Sequence, residues 1–116
     1  MTKVGEHITL DIIGTTKEYD PSIFEKVIND IAKAAEVTIL NISKYKFEPQ
    51  GFTILALLAE SHMSFHTFPE NGMISFDFFT CGKVNPSIAV DIIKKEFEYK
   101  RIVKKEFNRD TVGLYD

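Results

Sequence analysis

The sequence predicts an α+β fold, a two-layer sandwich in which two helices cover one face of a mainly antiparallel sheet. Three observations lead to this class: runs of alternating apolar and polar residues, two capped segments with apolar residues at helical spacing, and short turns between most strands. Strands joined by short turns pair antiparallel. A chain of 116 residues fits a single domain, residues 1–116.

The chain begins with a strand and a helix. Ile8, Leu10 and Ile12 alternate with polar neighbours, which predicts a half-buried strand. Asp20 then supplies an N-cap, and Pro21 occupies the first helical position. The helix that follows carries its apolar residues at helical spacing: Ile23, Phe24, Val27, Ile28, Ile31, Ala32 and Ala35.

Two strands and a turn follow. A second strand is predicted over roughly residues 38–47, and Glu48-Pro49-Gln50-Gly51 ends it with Gly51 in the turn. A third strand, over 52–59, is so apolar that we expect it to lie at the centre of the sheet with both faces covered.

The second half of the chain repeats these signals. Alternation over 62–67 puts His62, Ser64 and His66 on one side of a fourth strand, and a break at 69–72 precedes a fifth over 73–80. Asn85 and Pro86 predict the start of a second helix. Charged residues 101–107 predict an edge strand, and we expect the last residues to be frayed.

Composition narrows the classes of partner. The 14 Lys+Arg against 17 Asp+Glu give a net charge of −3, and the longest apolar stretch, 54–59, is too short to span a membrane. We therefore expect neither nucleic acid nor a membrane as a partner. Cys81 is the single cysteine, and the N-terminal residues do not resemble a signal peptide, so we expect a cytoplasmic location.

One sheet face is left without helices in this fold. If it carries apolar residues of the third and fourth strands, pairing with a second copy is the simplest way to cover them, and we expect a homodimer.

Reactive side chains concentrate between residues 60 and 81, and three interpretations compete for them. A metal site from His62, His66 and Cys81 is disfavoured, because residues i and i+4 of a strand lie about 13 Å apart. The polar residues could instead be a solvated sheet face with Cys81 packed as a small apolar residue. Finally, Ser61, His66 and Cys81 could supply a nucleophile and a base.

Two motifs resolve this choice by resemblance. Residues 59–70 read AESHMSFHTFPE and residues 78–82 read FFTCG. This pattern closely resembles the prokaryotic S-adenosylmethionine decarboxylase proenzymes, which are self-cleaving and pyruvoyl-dependent. Gly5-Glu6-His7, the 47–51 turn and the Pro86 helix extend the resemblance over most of the chain.

The resemblance implies self-cleavage between Glu60 and Ser61. In that family the serine hydroxyl attacks the preceding carbonyl, and elimination followed by hydrolysis leaves an N-terminal pyruvoyl group. His66 matches the family's processing base, and Thr53 matches a hydroxyl residue that assists the acyl shift. The expected products are chains 1–60 and 61–116, and the covalent pyruvoyl group derived from Ser61 is the expected cofactor, with no metal.

The resemblance also implies a decarboxylase acting on S-adenosylmethionine. The pyruvoyl carbonyl forms a Schiff base with the substrate amine and accepts the electrons released with carbon dioxide. Cys81 matches the family's proton donor. Glu70 matches the glutamate that binds the ribose hydroxyls, and Phe47 matches the aromatic residue beside the adenine.

Three departures from the family pattern keep alternatives open. Ile54 stands where the family usually has glycine, Phe68 replaces a usual tryptophan, and Asn71 replaces an aromatic or small residue. These changes concern the substrate pocket more than cleavage. A pyruvoyl-dependent ornithine or arginine decarboxylase, or an uncleaved regulatory relative, is therefore the alternative function.

Overall fold

A computed structural model describes residues 3–81 and 84–110 and confirms the α+β sandwich. Its elements in chain order are β1 (Lys3–Ile13), α1 (Pro21–Ala35), β2 (Ile39–Lys46), β3 (Phe52–Leu58), β4 (Ser61–Phe68), β5 (Met73–Cys81), α2 (Ile88–Glu96) and β6 (Arg101–Asp110), with a 3-10 turn at Pro69–Asn71. The six strands form one sheet in the order β2-β3-β4-β5-β1-β6, and every neighbouring pair is antiparallel.

The core lies between the helices and one face of the sheet. Alternate residues of the four inner strands point to this helix face because side chains of a strand alternate between its two faces. The largest fully buried side chains include Phe24 of α1 and Phe65, Phe76 and Phe78 of β4 and β5. The alternation predicted for the first and fourth strands is therefore confirmed.

The start of α1 matches its prediction. The Ser22 backbone N–H donates to Asp20 Oδ1 at 2.9 Å, and Pro21 is the first helical residue. This hydrogen bond to the charged carboxylate, with help from Lys46, lowers the pKa of Asp20 below its ordinary 3.8. The cap thus satisfies one of the free N–H groups of the first turn.

The second helix begins later than the prediction placed it. α2 starts at Ile88, and Pro86 and Ser87 form a turn before it. Asn85 Oδ1 accepts from the Ser87 N–H at 3.0 Å, and the Ile88 N–H bonds the Asn85 carbonyl three residues earlier. Asn85 and Pro86 thus belong to a turn that leads into the helix and do not start the helix themselves.

The expectation that the third strand is central and covered on both faces was wrong. β3 is second from the sheet edge, and although Ile54 and Ala56 are buried against the helices, Leu55 and Leu57 are 48% and 55% exposed. Both helices lie on the same face. We call the other side of the sheet the open face.

The edges of the sheet are β2 and β6. The charged strand predicted near the C-terminus is confirmed as the edge strand β6. The predicted fraying of the last residues concerns positions 111–116, which lie outside the described residues. Neither α1 nor α2 is long and apolar enough to cross a membrane.

Candidate active site

Ser61 lies at a tight turn between β3 and β4. Leu58 and Ser61 are cross-strand partners, so Ala59 and Glu60 form a two-residue connection. Glu60 has a φ of 62°, in the left-handed region. Ser61 is 9% exposed, and its Oγ has no hydrogen-bond partner among residues 3–81 and 84–110. A buried hydroxyl without a partner is rare and marks a candidate reactive group.

Cys81 lies at the same end of the sheet as Ser61. The pairing of His62 with Phe79 brings the start of β4 beside the end of β5, where Cys81 is a free, partly exposed thiol. Strand alternation directs Ser61 to the helix face and Cys81 to the open face. We call the end of the sheet that carries Glu60, Ser61 and Cys81 the Ser61 end.

Thr53 and His66 form a hydrogen-bonded pair on the open face. They are cross-strand partners in β3 and β4, and Thr53 Oγ1 lies 2.9 Å from His66 Nδ1. The next partners in the same row are Ser75 and Asp11, whose side chains are joined by a 3.2 Å hydrogen bond from the serine hydroxyl. A bond that fixes the imidazole ring orients it for proton transfer.

Phe47 and Glu70 lie at the end of the sheet that carries His66. Phe47 follows β2, its ring centroid is 4.8 Å from that of Tyr45, and its N–H closes the turn on the Gly51 carbonyl. Glu70 lies in the 3-10 turn after β4 and accepts a 3.2 Å hydrogen bond from Gln50 Nε2. We call the end that carries Phe47, Thr53, His66 and Glu70 the His66 end.

A single chain does not bring the two ends together. Ser61 and His66 are five residues apart on β4, which corresponds to about 16 Å along an extended strand, and they point to opposite faces. Both residues that the motif assigns to cleavage are therefore present, but Ser61 lies at one end of the sheet and His66 at the other.

The open face also holds a hydrogen-bonded pair that sequence reasoning missed. His7 Nε2 lies 2.8 Å from Asp77 Oδ1, and the His7 ring contacts the rings of His62, Phe79 and Phe107 edge-on. Alternation placed these residues on polar strand faces. The contact itself depends on the pairing of β1 with β5. His7 and Asp77 are 70 residues apart in the sequence, so no local pattern reveals this pairing.

A cavity of about 660 Å³ opens at the His66 end, on the side of α1. Tyr19, Phe24, Lys46, Gln50, Phe52 and Thr67 are among its lining residues. None of the predicted catalytic residues lines it. Within residues 3–81 and 84–110, no group of three or more His, Cys, Asp or Glu side chains is arranged to hold a metal ion.

Comparisons with known proteins agree with the motif. Residues 6–110 match the family described as S-adenosylmethionine decarboxylase. The chain is 42% identical over 111 residues to the S-adenosylmethionine decarboxylase proenzyme of Prochlorococcus marinus (strain MIT 9313), covering 93% of this chain and 89% of that protein. It is also 42% identical over 117 residues to the proenzyme of the same name from Methanococcus vannielii, covering 98% and 96%.

Solved structures agree on the fold. The crystal structure of the adenosylmethionine decarboxylase from Aquifex aeolicus superimposes with a TM-score of 0.84 at 32% identity, covering 97% of this chain and 95% of that chain. The AdoMetDC monomer of Trypanosoma brucei superimposes with a TM-score of 0.62 at 16% identity, covering 85% and 44%, a likeness of fold alone.

Proposed function

The chain belongs to the S-adenosylmethionine decarboxylase family, and on that premise we propose that it is a proenzyme that cleaves itself at Glu60-Ser61 and then decarboxylates S-adenosylmethionine. The product is the aminopropyl donor for spermidine synthesis. The alternative substrates ornithine and arginine are not favoured, since relatives at 33–42% identity carry the S-adenosylmethionine decarboxylase name.

The observation that carries the proposal is the buried Ser61 hydroxyl, which has no hydrogen-bond partner within residues 3–81 and 84–110. Leaving a buried hydroxyl without a partner costs about 1–3 kcal/mol, which a purely structural serine would avoid. In cleavage, Ser61 Oγ bonds to the Glu60 carbonyl carbon, the Glu60–Ser61 C–N bond breaks, and the hydroxyl proton ends on the freed amine. Loss of the Ser61 Cα proton then expels the Glu60 carboxylate, and water releases ammonia to leave the pyruvoyl group.

Ser61 is a suitable precursor for the pyruvoyl group. When present, that group supplies an electrophilic carbonyl that can react with the substrate amine and accept the electrons released with carbon dioxide. Cys81 lies beside it on the neighbouring strand, and we assign its thiol to protonation of the product carbon. A thiol that must stay reduced is favoured in a reducing compartment, so we propose the cytoplasm as the location.

The His66 end supplies the remaining roles. His66, held by Thr53, is assigned as the base for the Ser61 Cα proton, with the Thr53 hydroxyl assisting the acyl shift. Glu70 offers two acceptor oxygens for the ribose hydroxyls, and the exposed Phe47 ring offers a stacking surface for the adenine.

A second copy of the chain reconciles the separation of the two ends. The open face exposes Leu55, Leu57 and Phe107, which gives two sheets an apolar surface to bury face to face. A two-fold axis between the sheets, perpendicular to the strands, lays the Ser61 end of one protomer over the His66 end of the other, and does so twice. We therefore propose a homodimer with two sites, each built from both protomers.

Mass spectrometry under denaturing conditions tests self-cleavage. We expect fragments 1–60 and 61–116, the latter with a blocked N-terminus, and an intact chain for Ser61→Ala, which has no hydroxyl to attack. Ser64→Ala is the matched control: Ser64 is a buried serine on the same strand, and this variant should cleave normally. A wild-type chain that stays intact would contradict the proposal.

Release of carbon dioxide tests the substrate. The purified, cleaved enzyme should decarboxylate S-adenosylmethionine and leave ornithine and arginine untouched. Turnover of either amino acid in place of S-adenosylmethionine would transfer the assignment to the alternative decarboxylase.

A further inference from the structure

The turn that precedes Ser61 differs from the turns beside it. Gly51, between β2 and β3, and Gly72, between β4 and β5, take the positive-φ position of their turns, with φ of 106° and 59°. Between β3 and β4 that position is occupied by Glu60, with φ of 62°. Glycine adopts this conformation freely, whereas a residue with a Cβ does so at a penalty.

In the described part of the chain, no polar contact of the Glu60 side chain offsets this penalty. The described part of the chain has one other non-glycine residue with positive φ, Glu36, but that residue ends α1, and its N–H bonds the carbonyls of the last turn. The Glu60 carboxylate makes no hydrogen bond or ion pair with residues 3–81 and 84–110. The turn is nevertheless held closed, because Leu58 pairs with Ser61 and the Ala59 N–H bonds the Thr38 carbonyl at 2.9 Å.

We propose that the left-handed Glu60 stores backbone strain at the bond to be cut and releases it in the first step of cleavage, so that Glu60 is a positioning residue for self-processing. This inference rests on the proposed function. When Ser61 Oγ replaces the amide nitrogen on the Glu60 carbonyl carbon, the path to Ser61 Cα lengthens by one atom, and the two-residue turn no longer constrains Glu60. The rearrangement is thereby shifted toward the ester, and the later elimination makes it permanent.

The penalty for a left-handed residue with a Cβ corresponds to about a 5- to 30-fold change in an equilibrium constant. Glu60→Gly removes the strain and keeps the turn, so it should cleave about 5- to 30-fold more slowly than Glu60→Gln, which keeps the strain but loses the charge. Glu60→Asn, which tolerates this conformation better than Gln, should fall between them. The rates are measured as the intact fraction against time after synthesis in a cell-free system.

The stability of the uncleaved chain shows whether Glu60→Gly acts by relieving strain or by making the turn more flexible. In a Ser61→Ala background, Glu60→Gly should raise the urea midpoint and Glu60→Gln should not, whereas a merely more flexible turn would lower the midpoint. Glu36→Gly is the matched control, since it relieves the same conformation far from Ser61 and should leave the cleavage rate unchanged.

The outcomes distinguish this inference from the function it rests on. A wild-type chain that never cleaves would overturn both. A wild-type chain that cleaves while Glu60→Gly keeps pace with Glu60→Gln would overturn the strain alone. Slow cleavage of both Gly and Gln variants would assign the role to the Glu60 carboxylate, which also contradicts the inference.

Discussion

Cys81 and Ser61 share one end of the sheet but point to opposite faces. The Ser61 hydroxyl is buried on the helix face, and in the proposed acyl shift it attacks the carbonyl of the residue just before it. The Cys81 thiol stands on the open face, where we place the substrate. Cleavage and turnover therefore make separable demands on these two neighbours.

Cys81→Ala should cleave and fold but turn over poorly. General acid catalysis contributes about 10²- to 10⁴-fold, so decarboxylation per pyruvoyl group should fall by that range. The measurement is carbon dioxide release normalised to titrated pyruvoyl content. We also expect misplaced protonation to convert the pyruvoyl group gradually to alanine, seen as a new N-terminal residue. Normal turnover per pyruvoyl would return Cys81 to a packing role.

His66→Ala should stop cleavage after the acyl shift, because the base for the Ser61 Cα proton is missing. Hydroxylamine cuts esters and spares amides, so adding it to the purified variant should yield fragments 1–60 and 61–116. The same treatment of Ser61→Ala, which forms no ester, should yield none. Resistance of His66→Ala to hydroxylamine would show that His66 does not act after the ester.

Among the elements, α1 carries a pH-dependent cap. The Asp20 pKa is lowered in the folded chain because the Ser22 N–H donates to its carboxylate. A depressed carboxyl pKa adds stability that is present above the ordinary value of 3.8 and is lost as the pH falls through the lower folded value.

Asp20→Asn should therefore keep the cap but remove its pH dependence. In a Ser61→Ala background, which stays one chain, its urea midpoint should match the parent near pH 7 and fall less steeply with acid. Asp20→Ala, with no acceptor, should have a lower midpoint throughout that range. If the urea midpoints of Asp20→Asn and its parent fall equally steeply with acid, the pKa of Asp20 is not lowered in the folded chain.

Elements could be predicted from sequence as far as their signals are local. The Asp20 cap and the helical period of α1 identified that helix correctly, because both depend on neighbours in the chain. The exposed Leu55 and Leu57 were misjudged because the absence of a helix over them is decided elsewhere in the fold. The start of α2 was misplaced because Asn-Pro serves a turn as readily as a helix.

At the scale of the whole molecule, the strand order was beyond reach of the sequence. β1 lies between β5 and β6, so His7 faces Phe79 on one side and Phe107 on the other. Pairings over such separations leave no local pattern, so the His7–Asp77 pair was missed. The roles proposed for Ser61, His66 and Cys81 came from a motif. A motif names residues but does not say whether they come together within one chain or between two.

Mixed dimers test whether each site is built from one chain or from two. Ser61→Ala and His66→Ala should each fail to cleave alone, for different reasons. Co-expressed in equal amounts, they should form mixed dimers as half of all dimers, and each mixed dimer has one intact site, made from Ser61 of the His66→Ala chain and His66 of the Ser61→Ala chain. About a quarter of all sites are then restored.

The direction of this rescue is its sharpest feature. Mass spectrometry should find fragment 61–116 with the mass of the His66→Ala chain, from up to about half of those chains, while every Ser61→Ala chain stays intact. Decarboxylation should return in proportion. If cleavage needs only residues of its own chain, neither variant is rescued, and absence of the His66→Ala fragment from verified mixed dimers would reject the shared site. The roughly 16 Å between Ser61 and His66 along β4 makes us expect the rescue.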